Sequence, residues 1–241
     1  MMRAVDAIRQ LANKARPAYI AAWDAGDDRL AQAGIDTPLR LAHLIAQCSA
    51  ECGAFQVTRE SMHYTHADRL VNVFNSIRHS VNLFPGEAVI LLGQDRDLAE
   101  RFYGPGGPSA LYVQHGVNHG NNPGNALKSA ALGNHRPGDG FLFRGNGMLQ
   151  TTGGDAHKKA GDEVGVDFFN HPELVTSAEH ALKPVLFEWT SSHCNDFADR
   201  DDVVRISKAI NLGNPNSPAT PLGMDDRKRF LRVAKTVLGI A

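Results

Sequence analysis

The clearest structural signal in the chain is carried by residues 37–53, whose sequence is TPLRLAHLIAQCSAECG. Thr37 followed by Pro38 is the pattern of a helix N-cap with proline at the first helical position. Apolar residues then recur at helical spacing, and Gly53 is placed to end the helix. These residues therefore predict a buried helix that runs from Pro38 to about Glu51.

The composition of the chain excludes several classes of protein. It has 241 residues, with 25 Lys and Arg against 26 Asp and Glu, a formal net charge of −1 and 42% hydrophobic residues. Such a chain is long enough to bury a core and is not a disordered charged polymer. Because the net charge is near zero, no overall field would attract nucleic acid, and we expect no nucleic-acid partner.

Helical spacing of apolar residues recurs over much of the remaining chain, whereas two segments differ. Residues 104–140 are rich in Gly and Pro, and therefore predict a long loop. Residues 141–143 predict a short strand at the end of this loop. The residues alone thus indicate a mainly α protein with a small β element. Further helices are predicted over residues 4–12, 18–33, 155–164, 177–193, 201–209 and 224–238.

The three cysteines, Cys48, Cys52 and Cys194, are an odd number without the density of a disulfide framework. They predict buried free thiols and synthesis in a reducing compartment. Residues 1–17 carry charged side chains at short intervals and lack the uninterrupted apolar region of a signal peptide. We therefore expect a protein that is made in the cytoplasm without a signal peptide.

Glu51 and Glu60 form the most informative pair of acidic residues. Glu51 precedes Cys52 and Phe55, and an apolar surrounding favours a protonated carboxyl group, which suits a general acid. In one continuous helix the two glutamates would point in opposite directions, so the chain has to reverse after Gly53. A reversal could leave the gap of about 6.5–9.5 Å that an inverting glycosidase needs for a water. On spacing alone, two solvated surface glutamates are the simpler interpretation.

Four blocks follow one another along the chain. Residues 40–64 contain both glutamates, residues 143–153 have the sequence FRGNGMLQTTG, and residues 226–232 begin with Asp-Arg. Between the last two, residues 198–213 hold Ala-Asp followed by Ile-Asn-Leu-Gly. In this order the blocks resemble glycoside hydrolase family 19, which includes plant chitinases and many phage endolysins. The lead-in at residues 34–39, GIDTPL, is typical of the phage and bacterial branch.

The resemblance implies an inverting hydrolysis of β-1,4 bonds between N-acetylated amino sugars. Glu51 would be the general acid, and Glu60 the general base that activates a water held by the hydroxyl of Thr152. The resemblance also implies an ion pair between Arg227 and the base Glu60. It requires no metal and no other cofactor. The substrate-binding residues that it implies are Gln150, Asn211, Arg144, Arg227 and Tyr64.

Some positions depart from the family pattern. Ala50 stands where the family often has His, Cys52 stands within its Glu-Ser-Gly, and Asn146 replaces the second Arg of its Arg-Gly-Arg-Gly signature. Phe143 and Leu212 replace a tyrosine and a glycine. These departures bear on substrate preference, because none of them removes the acid, the base or the water-holding residue.

The fold implied by the resemblance is a mainly α, lysozyme-like, two-lobed α+β domain with a small β hairpin beside a sugar-binding cleft. We predict one catalytic domain over residues 1–241, with a helical N-terminal segment at 1–36, a catalytic core at 37–241 and no separate wall-binding domain. The phage-like lead-in favours peptidoglycan as substrate. The protein would then be a monomeric muramidase-type endolysin that reaches the periplasm after a holin-type protein permeabilises the membrane.

Three alternatives remain open at this point. The same fold could hydrolyse chitin, or it could be a weakly active or inactive module that binds wall glycan. A metal-dependent wall amidase or peptidase is the third. The pairs His63 with His66 and His115 with His119 have a spacing that a metal could use, although solvated loop histidines are the simpler interpretation. The basic helix predicted over residues 224–238 could contact an anionic surface, although packing on the core is the simpler interpretation.

Overall fold

The computed structural model describes residues 2–77, 83, 86–107, 109–116 and 126–240. Its elements are helical, with a π-helical turn at Asn72–Ile77 and a 3-10 turn at Pro172–Thr176. The α-helices are α1 (Ala4–Leu11), α2 (Pro17–Asp24), α3 (Asp27–Gln32), α4 (Pro38–Glu51), α5 (Ala67–Val71), α6 (Glu87–Leu91), α7 (Asp95–Tyr103), α8 (Ser109–Gln114), α9 (Ala126–Ala131), α10 (Asp139–Leu142), α11 (Gly154–Val164), α12 (Leu182–Ser191), α13 (Cys194–Ala198), α14 (Val203–Leu212) and α15 (Met224–Val237).

The mainly α class is confirmed, whereas the small β hairpin is not. Over the described ranges there is no β-strand, only isolated bridge residues at Arg59, Asn146 and Thr151. The strand predicted over residues 141–143 is also wrong, because this segment belongs to α10 and the turn after it. A short apolar run does not distinguish a strand from a buried helical turn, and here tertiary packing decides.

Gly140 shows how that packing works. A Cβ atom at this position would lie 2.7 Å from the backbone nitrogen of Gly104 and 2.8 Å from the carbonyl oxygen of Ala99. Because glycine has no Cβ, α10 can approach the C-terminal end of α7 closely. The long loop predicted over residues 104–140 is partly helical, because α8, α9 and the start of α10 lie within this range.

The chain divides into two compact units. The first unit comprises Met1–Thr58, Asn146–Gln150 and Ala160–Ala241, and the second comprises Arg59–Gly145 and Thr151–Lys159. One catalytic domain over residues 1–241 stays a prediction. None of the described helices is both long and apolar enough to span a membrane.

Helix α4 lies in the core of the first unit. Its residues Leu44, Ile45 and Cys48 have no exposed surface, and α15 packs along it. Trp23 from α2 and Trp189 from α12 are also fully buried in this core. The strong apolar pattern of residues 37–53 thus corresponds to the most buried helix of this unit.

The predicted helix over residues 18–33 is interrupted by Gly26, which separates α2 from α3. A Cβ atom on Gly26 would lie 2.4 Å from the Cδ2 atom of Leu182 on α12. A larger residue at this position would therefore require the Leu182 side chain to shift, and the low helix propensity of glycine favours an interruption here.

The second unit has a core of its own. The rings of Phe74 and Phe102 stack with centroids 3.5 Å apart. A buried ion pair joins Arg101 Nε to Glu87 Oε1 at 2.5 Å, and the Tyr112 hydroxyl donates to the same oxygen. The pairing is necessary because a buried carboxylate without a partner is costly.

The prediction of buried free thiols is confirmed for all three cysteines. Burial raises the pKa of Cys52 and of Cys194 to about 12, and it raises the pKa of Cys48 well above its ordinary value. Because the thiolate is the reactive form, these side chains are protected both by exclusion of reagent and by protonation.

We expect no cysteine of the native protein to react with Ellman's reagent at pH 8, and all three to react in guanidinium chloride. A Cys194→Ser variant should lower the count in denaturant to two thiols and leave the native protein unreactive. Rapid modification of any thiol in the native protein would contradict the burial found here.

Candidate active site

The predicted site residues are divided between the two units. Within each unit, one glutamate is held by neighbouring groups. The first unit contains Glu51 with Gln150, Asn211 and Arg227, and the second contains Glu60 with Thr152, Arg144 and Tyr64.

Glu51 is the last residue of α4. The helix begins as predicted, because the Thr37 hydroxyl accepts a hydrogen bond from the Arg40 N–H at 3.2 Å. It also ends as predicted, since Gly53 follows with a φ of 55°. The boundaries predicted from residues 37–53 are therefore confirmed.

A left-handed turn follows Glu51. Ala54 and Phe55 have φ values of 54° and 63°, a conformation that costs a non-glycine residue roughly 1–2 kcal/mol. Two interactions offset this cost. The buried Phe55 ring packs edge to face on Trp23 with centroids 6.1 Å apart, and the Phe55 carbonyl accepts from the Arg16 N–H at 2.9 Å. The turn fixes the direction in which the chain leaves α4.

The carboxylate of Glu51 is bound by Arg227, which lies on α15. One terminal nitrogen of the guanidinium donates to Glu51 Oε1, the other donates to Gln47 Oε1, and Nε donates to the Leu222 carbonyl at 3.0 Å. The side chain of Arg227 is 2% exposed and that of Glu51 is 14% exposed. Every nitrogen of this buried cation therefore has a partner, as a buried charge requires.

The expected ion pair between Arg227 and Glu60 is wrong, because the carboxylate partner of Arg227 is Glu51. The physical reason is the packing of α15 along α4, which brings Arg227 to the last turn of α4. A carboxylate at the C-terminus of a helix faces the negative end of the helix dipole, and the guanidinium offsets this repulsion. The surroundings of Glu51 are thus charged as well as apolar.

Sequence reasoning missed another glutamate of the first unit, Glu188 on α12, which is half-buried. Burial raises its pKa to about 8, and the negative charge of Glu51 acts in the same direction. Across the described part of the chain, no ion pair or hydrogen bond involves its carboxyl group, which is protonated at neutral pH. Its position between Phe187 and Trp189, in an apolar helix, is the sequence signal that could have revealed it.

Glu188→Gln is expected to stabilise the protein at high pH. The raised pKa means that the native state binds the proton more tightly than the unfolded state. The wild type therefore loses stability as the pH rises from the ordinary glutamate value through about 8. Above pH 8 the variant should exceed it by about 2–4 kcal/mol, and near pH 5 the difference should be small.

The measurement is the free energy of unfolding in urea, taken at intervals from pH 5 to pH 9. Glu163→Gln is the control, because Glu163 is an exposed glutamate of the same unit. Parallel stability curves for the wild type and Glu188→Gln would contradict a half-buried, protonated carboxyl group.

Two amide side chains of the first unit are partly bound by the backbone. Gln150 Nε2 donates to the Gly147 carbonyl at 2.8 Å, and Asn211 Oδ1 accepts from the Leu222 N–H at 2.9 Å. Both residues are half-buried. Amide groups fixed in this way can bind an acetamido group, but their contact with a sugar stays a prediction.

Asn146, which departs from the family signature, has a structural role in the first unit. Its side chain is fully buried, and Nδ2 donates to the Pro172 carbonyl at 2.6 Å. Nearby, Trp23 Nε1 donates to the sulfur of Met148 at 3.2 Å. The middle of the FRGNGMLQTTG block is thus bound into the first unit, and Asn146 is not available to a ligand.

Glu60 is held through both its backbone and its carboxylate in the second unit. Its N–H donates to the Gly145 carbonyl at 2.7 Å. The Tyr103 hydroxyl donates to Oε1 at 3.2 Å, and the Gly145 N–H lies 3.4 Å from Oε2. Glu60 is half-buried, so it is not one of the freely solvated surface glutamates of the simpler interpretation.

Arg144 supports Glu60 from the backbone side. Its Nε donates to the Glu60 carbonyl at 3.0 Å, and a terminal nitrogen donates to the Phe141 carbonyl at 2.5 Å. The guanidinium also lies 3.8 Å above the Phe141 ring centroid. Burial lowers the pKa of Arg144, and the positive charge of Arg59 adds to this effect. Substrate binding by Arg144 stays a prediction beside this supporting role.

Thr152 and Tyr64 are both half-buried in the second unit. Thr152 precedes Gly153, where a Cβ atom would lie 2.5 Å from the Leu132 carbonyl oxygen, so this position requires glycine. The ring of Tyr64 packs edge to face on Phe74 with centroids 5.8 Å apart. The roles of Thr152 and Tyr64 toward water and sugar remain predictions.

Among the residues that the structure describes, no group of three His, Cys, Asp or Glu side chains could hold a metal ion. His63 Nδ1 lies 3.2 Å from Asp95 Oδ1, and His66 Nδ1 lies 2.9 Å from Thr65 Oγ1. His119, of the second histidine pair, lies outside the described residues.

No family model matches the chain, and no curated protein matches it significantly. Among solved structures, it is similar to chitinase C from Streptomyces griseus HUT6037, with 16% identity, a TM-score of 0.57, and coverage of 100% of this chain and 79% of that chain. A crystal structure of a chitinase C point mutant has 15% identity, a TM-score of 0.56, and coverage of 98% and 92% respectively. The chain therefore has a chitinase-like fold, which confirms the fold-level part of the resemblance.

Proposed function

We propose that this protein is a glycoside hydrolase that cleaves β-1,4 bonds between N-acetylated amino sugars with inversion. The observation that supports this proposal is that the carboxylates of Glu51 and Glu60 are each bound by a neighbouring side chain in a chain of chitinase-like fold. Two solvated surface glutamates would not be held in this way.

In the proposed reaction, Glu51 donates a proton to the glycosidic oxygen as the bond to the anomeric carbon breaks. A water attacks that carbon from the opposite face, and Glu60 accepts the proton that the water loses. The hydroxyl of Thr152 holds the attacking water. Both carboxyl groups return to their starting states by proton exchange with solvent, so no cofactor enters the reaction.

The two glutamates have different surroundings. Glu51 lies near the protonated carboxyl of Glu188 and is bound by Arg227. Glu60 has donors from a hydroxyl and from a backbone N–H. The assignment of acid and base comes from the order of the sequence blocks and not from these contacts.

For the substrate we propose peptidoglycan, cleaved between N-acetylmuramic acid and N-acetylglucosamine. The GIDTPL lead-in supports this choice, and so do the three free thiols, since a secreted plant-type chitinase would carry disulfides. The proposed biological role is that of a bacteriolytic endolysin, which acts as a monomer on the wall in the periplasm after a holin-type protein opens the membrane.

Chitin is the second candidate substrate, and a specific observation favours it. Both solved structures that resemble this chain are named chitinase C. A polymer of N-acetylglucosamine carries the same acetamido groups as peptidoglycan, so the same amide side chains could bind it.

The test is a digest of purified Gram-negative peptidoglycan and of a chitin hexamer with the wild type, Glu51→Gln and Glu60→Gln. Each variant should lose at least about 100-fold in rate, because each lacks one proton-transfer group. Borohydride reduction and mass spectrometry identify the new reducing end. New N-acetylmuramic acid ends support the muramidase, and fresh products should have the inverted α configuration by proton NMR.

The exposed Glu163→Gln variant is the matched control, and it should retain the wild-type rate. Cleavage of the hexamer alone would select chitin. Binding of glycan without turnover would replace the hydrolase with a binding module. Cleaved peptide stems that disappear with a chelator would identify a metal-dependent amidase, and unchanged turnover in Glu51→Gln would refute its role as the acid.

A further inference from the structure

Tyr103 belongs to none of the sequence blocks, yet it contacts Glu60. It is the last residue of α7, it is 5% exposed, and its hydroxyl donates to Glu60 Oε1 at 3.2 Å. Because the Gly145 N–H lies 3.4 Å from Oε2, both carboxylate oxygens of Glu60 face a donor. The terminal torsion of a glutamate is broad, so donors on both oxygens restrict its orientation.

Tyr103 is itself fixed by a buried amide. Asn134 is 1% exposed, and its Nδ2 donates to the Tyr103 carbonyl at 2.9 Å. Its Oδ1 accepts from the Gly154 N–H, also at 2.9 Å. Gly154 begins α11, directly after the Thr152–Gly153 segment. One side chain therefore joins the support of Glu60 to the segment that carries Thr152.

A cation lies over the ring of Tyr103. The Nζ atom of Lys128 is 4.8 Å from the ring centroid, within the range of a cation–π interaction. A positive charge on this face withdraws electron density from the phenol and makes its hydroxyl a stronger donor. A stronger donor also gives a stronger hydrogen bond to Glu60, because a hydrogen bond to an ionised carboxylate is largely electrostatic.

We infer that Tyr103 is a positioning residue, whose hydroxyl orients the carboxylate of Glu60 to take a proton from the attacking water. Asn134 connects the backbone of Tyr103 to the start of α11, which follows Thr152. The inference rests on the proposed function. A general base has to lie within about 2.6–3.2 Å of the water that it deprotonates, so a rotated carboxylate is a poor base even when substrate is bound. The loss should therefore appear in kcat and not in KM.

Tyr103→Phe tests this inference, because it removes only the hydroxyl. We expect kcat on the soluble oligosaccharide that the wild type cleaves to fall about 10- to 100-fold, with KM unchanged within about twofold. The acidic limb of the pH profile of kcat/KM should move to higher pH, because the carboxylate form of the base has lost a donor.

The matched control is Tyr112→Phe. Tyr112 is also a buried tyrosine of the second unit whose hydroxyl donates to a carboxylate, in this case that of Glu87. It should lower the melting temperature and leave kcat and the acidic limb unchanged. If both variants lower the melting temperature and neither changes kcat or the acidic limb, Tyr103 is structural only and the inference is overturned.

A crystal structure of Tyr103→Phe separates failure of this inference from failure of the proposed function. If the wild type cleaves neither polymer, the proposed function fails, and the orientation of Glu60 still reports on the hydrogen bond. A carboxylate that turns away from Gly145 in the variant supports positioning by Tyr103. A carboxylate that keeps its orientation overturns it.

Discussion

The buried guanidinium of Arg227 is the interaction on which the first unit depends. Its three nitrogens bind Glu51, Gln47 and the Leu222 carbonyl, so it joins two turns of α4 to α15 and to the segment before it. A buried cation is tolerated only when all its donors are paired, and removing one partner leaves a charge without compensation. The register of α15 against α4 and the position of Glu51 are therefore set together.

In the second unit, Glu60 is held by hydrogen bonds to its carboxylate and to its backbone. Glu60 is bound by a hydroxyl, by a backbone N–H and, at its carbonyl, by Arg144. Close backbone approaches at Gly140 and Gly153 make this arrangement possible, since a side chain at either position would overlap neighbouring backbone. The carboxylate of Glu51 is thus bound by a buried guanidinium, and that of Glu60 by a tyrosine hydroxyl and a backbone N–H.

The errors of the sequence interpretation have a common physical origin. Residues 141–143 are too short an apolar run to separate strand from helix, and the close contact of Gly140 with α7 decides for the helix. The partner of Arg227 lies on a helix far away in sequence, so no spacing rule could distinguish Glu51 from Glu60. Tyr103 was missed for the same reason, because its hydroxyl has a function only once α7 is packed.

The sequence alone determined features that depend on neighbouring residues: the cap at Thr37, the apolar face and the end of α4, the free state of the cysteines, and the ordered blocks that predict two glutamates and a chitinase-like fold. Tertiary structure alone decided which groups surround those glutamates. Burial and the charge of Glu51 keep Glu188 protonated, and Tyr103 reaches Glu60 across the second unit. The difference arises because helix signals act within a few residues, whereas charge and hydrogen-bond partners are chosen by packing between distant segments.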